Sequence, residues 1–213
     1  VTGGWRGTDG HRDNSSFWQS NGTLRLGREL GAGFSTSLNV GASRFRAEDP
    51  FQAATDLVQR VSRRGATWML EEDREDAKGR ISLSYDWGDH AFTDGWDSRD
   101  WTMGFSVWRS MRLDENLEIA AGADYTRYGG DAWANSRALY RGRHELNELS
   151  GFGRAAARLG GGFRFTGGVR LARVSDQDPV LLPAASLSGE EEVAEWRPSV
   201  RAGWTRIFRA PTV

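Results

Sequence analysis

Hydrophobic and polar residues alternate one for one along most of this chain. Trp101, Met103, Phe105 and Val107 are separated by Thr102, Gly104 and Ser106. Ile81, Leu83, Tyr85 and Trp87 alternate with Arg80, Ser82, Ser84 and Asp86. The same period runs through Phe163, Phe165, Gly167, Val169 and Leu171, and through Leu117, Ile119, Ala121, Ala123 and Tyr125. It recurs at Trp196, Pro198, Val200, Ala202 and Trp204, while Phe34, Leu38, Val40 and Ala42 stand against Ser35, Ser37, Asn39 and Ser43. Successive side chains of a strand point to opposite faces, so each segment has one oily face and one wet face. The pattern predicts about ten strands, near 1–7, 16–28, 34–46, 66–73, 79–88, 100–112, 116–128, 145–158, 162–174 and 194–208. Residues 145–158 are the least defined, because Leu149, Phe152 and Ala155, Ala156 and Ala157 set no register. Pro198 weighs against a central place for the last strand.

The connections sort into two kinds. Those over 8–14, 47–65, 88–99, 129–144 and 175–193 are long. Those around Gly31 and Gly33, Glu75 to Lys78, Asp114 to Asn116, and Gly160 and Gly161 are short. Alternation of long and short gathers the long loops at one end of an antiparallel sheet and the short turns at the other. An outer-membrane barrel is built this way. Strands of about nine to fifteen residues also exceed the five or six usual in soluble sheets and suffice to cross a bilayer at a tilt. The fold class expected is all-β: part of an antiparallel transmembrane β-barrel, occupying the whole of 1–213.

Composition narrows the choice. The 213 residues carry 28 basic and 29 acidic side chains, a net charge of -1, which excludes the basic field of a nucleic-acid binder. The absence of cysteine excludes a disulfide scaffold and a thiolate metal site. At 38% hydrophobic residues, no run approaches the ~20 apolar residues of a membrane helix. Gly 27, Trp 10 and Phe 10 against Pro 5 indicate a folded β-protein with many turns and aromatic girdles. Trp87, Trp101, Tyr125, Trp196 and Trp204 suit such girdles. Arg80, Arg164, Arg170, Arg197 and Arg201 lie on the wet faces, where a polar lumen, or Glu118 and Asp124 across the sheet, can satisfy them. A soluble all-β binding module would show the same period with its oily face sealed inside, and stays open as an alternative.

Candidate chemistry is sparse. His11, His90 and His144 fall in loops or at strand ends, without HxH or HExxH spacing, so no metal or catalytic site is expected. Asp89 and His90 with Asp94 and Asp97 form a single His/carboxylate cluster, which keeps a ten-strand outer-membrane protease as a rival. Gly129 and Gly130 are followed by no helix pattern and make no phosphate cradle, and no cofactor is expected. The better binding candidates lie in the 129–144 loop: Trp133, Arg137, Tyr140, Arg141, Arg143 and His144, which combine guanidinium donors with stacking faces. Trp96 with His90 and Asp94 is a second candidate. Arg60, Arg63 and Arg64, read as part of the 47–65 loop, could meet lipid phosphate. The acidic run from Gly189 to Glu192 reads as a solvated loop.

Four segments, in order, resemble TonB-dependent outer-membrane receptors of the siderophore type. Thr8-Asp9-Gly10-His11-Arg12-Asp13-Asn14-Ser15 is similar to their DGHRDNS loop. Tyr85-Asp86-Trp87-Gly88-Asp89-His90 is similar to YNWGDH, and Ala123-Asp124-Tyr125-Thr126-Arg127-Tyr128-Gly129-Gly130 to GVDYKRYGG. The end, through Phe208-Arg209-Ala210-Pro211-Thr212, resembles GFRAPT, with Ile207 in place of the family's glycine. The resemblance implies a barrel of ~22 strands with a plugged lumen, of which this chain supplies a middle stretch. Plug, TonB box and remaining strands would lie elsewhere, and this stretch by itself would transport nothing. It implies a Gram-negative outer-membrane location and uptake of a ferric siderophore, often anionic and aromatic, or of a similar nutrient. It also implies energy from the TonB complex and contact with outer-membrane lipid or lipopolysaccharide.

Overall fold

The computed structural model describes residues 1–48, 57–190 and 199–207. They form one antiparallel sheet of eleven strands in sequence order. These are β1 (Thr2–Thr8), β2 (Phe17–Gly31), β3 (Phe34–Glu48), β4 (Val58–Asp73), β5 (Ala77–Phe92), β6 (Asp97–Arg112), β7 (Leu117–Ala134), β8 (Leu139–Leu159), β9 (Phe163–Val174), β10 (Val180–Glu190) and β11 (Ser199–Thr205). Among the described residues each strand contacts only its sequence neighbours, so nothing covers either face.

The register separates the two faces. Leu26, Leu38, Trp68, Leu83, Phe105, Tyr125 and Leu149 stand directly opposite one another from β2 to β8. One residue along, the facing row is Gly27, Ser37, Met69, Ser82, Ser106, Asp124, Ser150 and Ala172. Because side chains alternate, the first row lies on one face and the second on the other. Leu83 is 48% exposed, Phe105 38% and Phe165 43%, and no large side chain is fully buried among the described residues. A soluble sandwich or barrel would seal these groups in a core. Here they form a band with nothing over it, which water would penalise and hydrocarbon would not. The fold is the wall of a partial antiparallel transmembrane barrel.

Several expectations need correction. The 79–88, 100–112, 116–128 and 145–158 strands extend beyond their predicted ends, and the 66–73 strand starts at Val58. The expected loops over 88–99 and 129–144 shrink to turns of residues 93–96 and 135–138. Above the oily band both faces meet water, so the alternation fades there while the backbone ladder continues. Arg60, Arg63 and Arg64 therefore lie in β4, not in a loop, and His144 lies in β8. Trp87, Trp101 and Tyr125 sit inside long strands rather than at their ends.

The expected 175–193 loop contains β10, whose alternation Leu181, Pro183, Ala185 and Leu187 is interrupted by proline. Pro183 pairs with Val169 of β9, and its carbonyl accepts from Arg206 N–H at 3.1 Å on the β11 side, where proline has no N–H to return the bond and the ladder ends at Ala184 with Thr205. The added strand reverses the direction of the last one. Residues 191–198 thus separate strand ends on the short-turn side, and the strict alternation of long and short connections ends there. Trp196, Arg197, Pro198, Glu191, Glu192 and the segment from Phe208 lie outside the described residues, as do positions 49–56 of the 47–65 loop.

The β1–β2 connection keeps the similarity segment from Thr8 to Ser15. Gly10 has φ +76, and a Cβ there would lie 1.9 Å from Ser15 Oγ, so the turn requires glycine. Ser15 Oγ accepts from Arg12 N–H at 3.2 Å and donates to Arg12 O at 2.6 Å, closing the loop.

A charge on the oily face should cost far more than one on the wet face. Leu83→Arg is expected to destabilise by about 2–4 kcal/mol and Ser84→Arg by less than about 1 kcal/mol, read from denaturant unfolding of the full-length protein in lipid vesicles. Equal costs would refute the face assignment.

Candidate functional site

Ion pairs organise the wet face. Asp124 on β7 accepts from Ser106 Oγ at 2.7 Å and from Arg170 at 3.0 Å. Arg170, on β9, reaches over β8 and also donates to Ser150 Oγ at 2.5 Å. Toward the short-turn end Glu118 holds Arg154 at 3.2 Å and Arg164 at 2.9 Å, and Arg80 meets Glu71 at 2.7 Å. Glu118 and Asp124 thus neutralise Arg164 and Arg170 as the sequence suggested, whereas Arg80 uses the residue directly opposite it in the ladder. Arg201 has no ion pair among the described residues. These side chains are roughly half exposed, so their worth lies in satisfying cations inside a wet bore more than in stability.

At the long-connection end two hairpin tips are joined. Ser136 N–H donates to Gly95 O at 2.8 Å. Gly95 has φ +90, and a Cβ there would come within 3.2 Å of the Ser136 nitrogen, so glycine permits this approach. The junction brings Trp96, in the 93–96 turn, beside the β7–β8 tip. There the Arg137 guanidinium lies 5.2 Å from the Trp133 ring centre, and Trp133 and Tyr140 are 5.9 Å apart. Arg137 also approaches Asp97 at 3.9 Å. The Tyr140 hydroxyl donates to Asp131 at 2.8 Å, and that carboxylate holds the phenol above its ordinary pKa.

Register places the remaining candidates. A bulge pairs Ala132 with Gly142 but Trp133 with Tyr140, leaving Arg141 as the extra residue. Arg143 binds Glu145 at 2.6 Å, and Glu145 also takes Arg127 at 2.5 Å. Trp133, Tyr140 and Arg143 share the side of the sheet that carries the oily band, above it. His144, opposite Gly130, stands on the wet side. It borders a groove of about 650 Å³ together with Asp100, Thr102, Tyr128 and Leu146. His90 is on this side too, with Nε2 at 2.9 Å from one oxygen of Asp100, whose other oxygen accepts from Arg63 at 2.5 Å.

The eight candidates therefore do not form one site: Trp96, Trp133, Arg137 and Tyr140 meet at the tips with Arg141 at the bulge, Arg143 lies against Glu145, His144 borders the groove and His90 is held by Asp100. Sequence reasoning missed Asp100 and Tyr128 and gave Arg63 to lipid phosphate, whereas it bonds Asp100. Counting by twos from Asp124 through Thr126 reaches Tyr128 and Gly130, so the period could have found Tyr128. Asp89 and His90 stand on opposite faces: Asp89 pairs with Arg99 at 2.9 Å, and Asp94 accepts from the Trp96 N–H at 2.9 Å. The Asp89–His90 couple therefore does not form, and His90 pairs with Asp100 instead. Among the described residues no three His, Asp or Glu groups converge on a metal position.

No protein-family model matches this sequence, and no curated protein matches it. Solved structures do match in shape. The siderophore receptor PirA from Pseudomonas aeruginosa superposes with a TM-score of 0.75 at 16% identity, over 93% of this chain and 35% of that one. The copper transporter OprC gives 0.74 at 15%, over 95% and 41%. The ferric yersiniabactin uptake receptor FyuA from Yersinia pestis gives 0.61 at 10%, over 95% and 36%. The chain spans about a third to two fifths of the length of these proteins. At such identities the likeness is one of fold: this chain has the barrel wall found in TonB-dependent receptors.

Asp124→Ala should strand Arg170 and cost about 1–2 kcal/mol, the low end for a hydrogen-bonded ion pair because both groups are part-exposed. Arg143→Ala should cost less than about 0.5 kcal/mol, since Glu145 keeps Arg127. Urea unfolding in detergent checks both.

Proposed function

We propose that this chain is wall and external hairpins of an outer-membrane receptor that imports a small nutrient, with a ferric siderophore as the ligand class and TonB-derived energy. The observation that carries the reading is the segregation of faces: a continuous oily band on one side and a ladder of paired charges on the other. Such a sheet is stable only as the boundary between hydrocarbon and a water-filled bore. The likeness in fold to a siderophore receptor and a copper transporter supports the same assignment.

The site chemistry supports the ligand class. The joined tips offer Trp96, Trp133 and Tyr140 as stacking faces and Arg137 and Arg141 as cations, suited to an anionic, aromatic chelate. Below them His144, Asp100 and Tyr128 border the groove, with His90 bonded to Asp100, and a captured ligand would pass along it into the bore. The work of release would come from the TonB complex. Residues 1–213 act as one part of a barrel domain.

Uptake of a radio-iron ferric tricatecholate by cells carrying the full-length protein, in a strain without other iron receptors, tests this. Uptake should saturate, stop with a proton uncoupler, and show a KM about tenfold higher in the W133A/Y140A variant, as for loss of two aromatic contacts. Uptake unaffected by the uncoupler, or none with any ferric chelate, would overturn the reading.

A further inference from the structure

Residues 60–64 carry a feature that nutrient capture does not use. On β4, Arg60, Ser62 and Arg64 share the oily side of the sheet, and on β3 so do Ala42, Arg44 and Arg46. Arg63 points the other way, to Asp100. The register sets Arg46 directly opposite Arg60, Arg44 opposite Ser62 and Ala42 opposite Arg64. The next residues down on this side, Val40, Ala66, Leu38 and Trp68, belong to the oily band. Four guanidinium groups thus sit on two neighbouring strands at the upper rim of that band.

Their charges are poorly answered. Arg46 and Arg60, a directly opposed pair with Cβ atoms about 5 Å apart, repel each other. Arg46 reaches Glu48 at 3.0 Å, but its Nε is buried without a hydrogen-bond partner. Among the described residues Arg44 has only Ser62 Oγ, at 3.3 Å. Arg60 and Arg64 have no ion pair among the described residues, and Arg44, Arg60 and Arg64 are exposed. Asp89, opposite Ser62 on this side, is engaged by Arg99. By contrast Arg99, Arg127 and Arg143, on the same side of β6 to β8, each have an acidic partner.

The flanks point to a membrane interface. Trp87, opposite Arg64 on β5, has the Arg64 guanidinium 5.8 Å from its ring centre, and Trp18 stands opposite Arg46 on β2. Indole rings settle at the headgroup level of a bilayer. A phosphate there can take bidentate hydrogen bonds from arginine forks and relieve the repulsion between them.

We propose that Arg44, Arg46, Arg60 and Arg64, with Ser62, bind the phosphorylated headgroup of an outer-leaflet lipid whose acyl chains lie along Val40, Leu38 and Trp68. This rests on the outer-membrane reading. The phosphate neutralises the patch, and the lipid fixes the height and rotation of the β3–β4 hairpin in the leaflet.

Native mass spectrometry of the full-length protein, offered bis-phosphorylated lipid A or its dephosphorylated counterpart with the same acyl chains, tests it. The wild type should retain the phosphorylated lipid at least tenfold better. R44Q/R60Q/R64Q should lose that preference, while R99Q/R127Q/R143Q keeps it, with heat-modifiable gel migration confirming that both fold. Equal preference in wild type and R44Q/R60Q/R64Q would overturn the proposal, as would displacement of the lipid by millimolar inorganic phosphate. If the protein fails to fractionate with outer membranes, the membrane reading itself falls. If it does fractionate there and only the phosphate preference is missing, the lipid site alone falls.

Discussion

Hydrocarbon offers no hydrogen bonds, so a backbone that crosses it must pair every N–H and C=O with itself. The unbroken ladder from β1 to β11 answers that constraint, and the rest of the structure follows from it. A ladder of strands has two faces and a period of two. Once one face turns to lipid, the other has to carry every polar group that the crossing segments contain. Arg170, Arg164, Arg154 and Arg80 stand within strands because the wet face gives them Asp124, Glu118 and Glu71.

The same constraint relaxes above the band, and this is where functional residues collect. There the hairpins still pair their backbones, but both sides can be polar. Trp133 stacks near Tyr140 and Arg137, the Gly95–Ser136 bond joins two tips, and His90, Asp100 and Arg63 link three strands. The tips are therefore braced by tertiary contacts rather than free as loops, so a ligand would meet a partly organised surface and pay less ordering entropy.

Arginine serves three environments here, and register decides which. Arg63 and Arg64 are adjacent in sequence, yet one bonds Asp100 on the wet side and the other lies over Trp87 at the lipid rim. A basic run in a loop would act as one cluster. In a strand it is cut into two sites with different partners.

Local pattern determined the strand class and the division into an oily and a wet face, because side-chain alternation is a one-dimensional record of that division; that the oily face stays uncovered, as a membrane barrel requires, was decided by the sheet. Leu149 takes its face only from the register with Tyr125, whereas Leu83, Phe105 and Phe165 stand where that record put them. It could not show the strand extensions from 58, to 92 and to 134, since alternation vanishes once water lies on both sides. Nor could it show β10, where Pro183 broke the period. Register and the meeting of remote tips were decided only in three dimensions: Gly95 beside Ser136, and Arg46 against Arg60. Each depends on hydrogen bonds across a ladder or between hairpin tips, which no local pattern encodes.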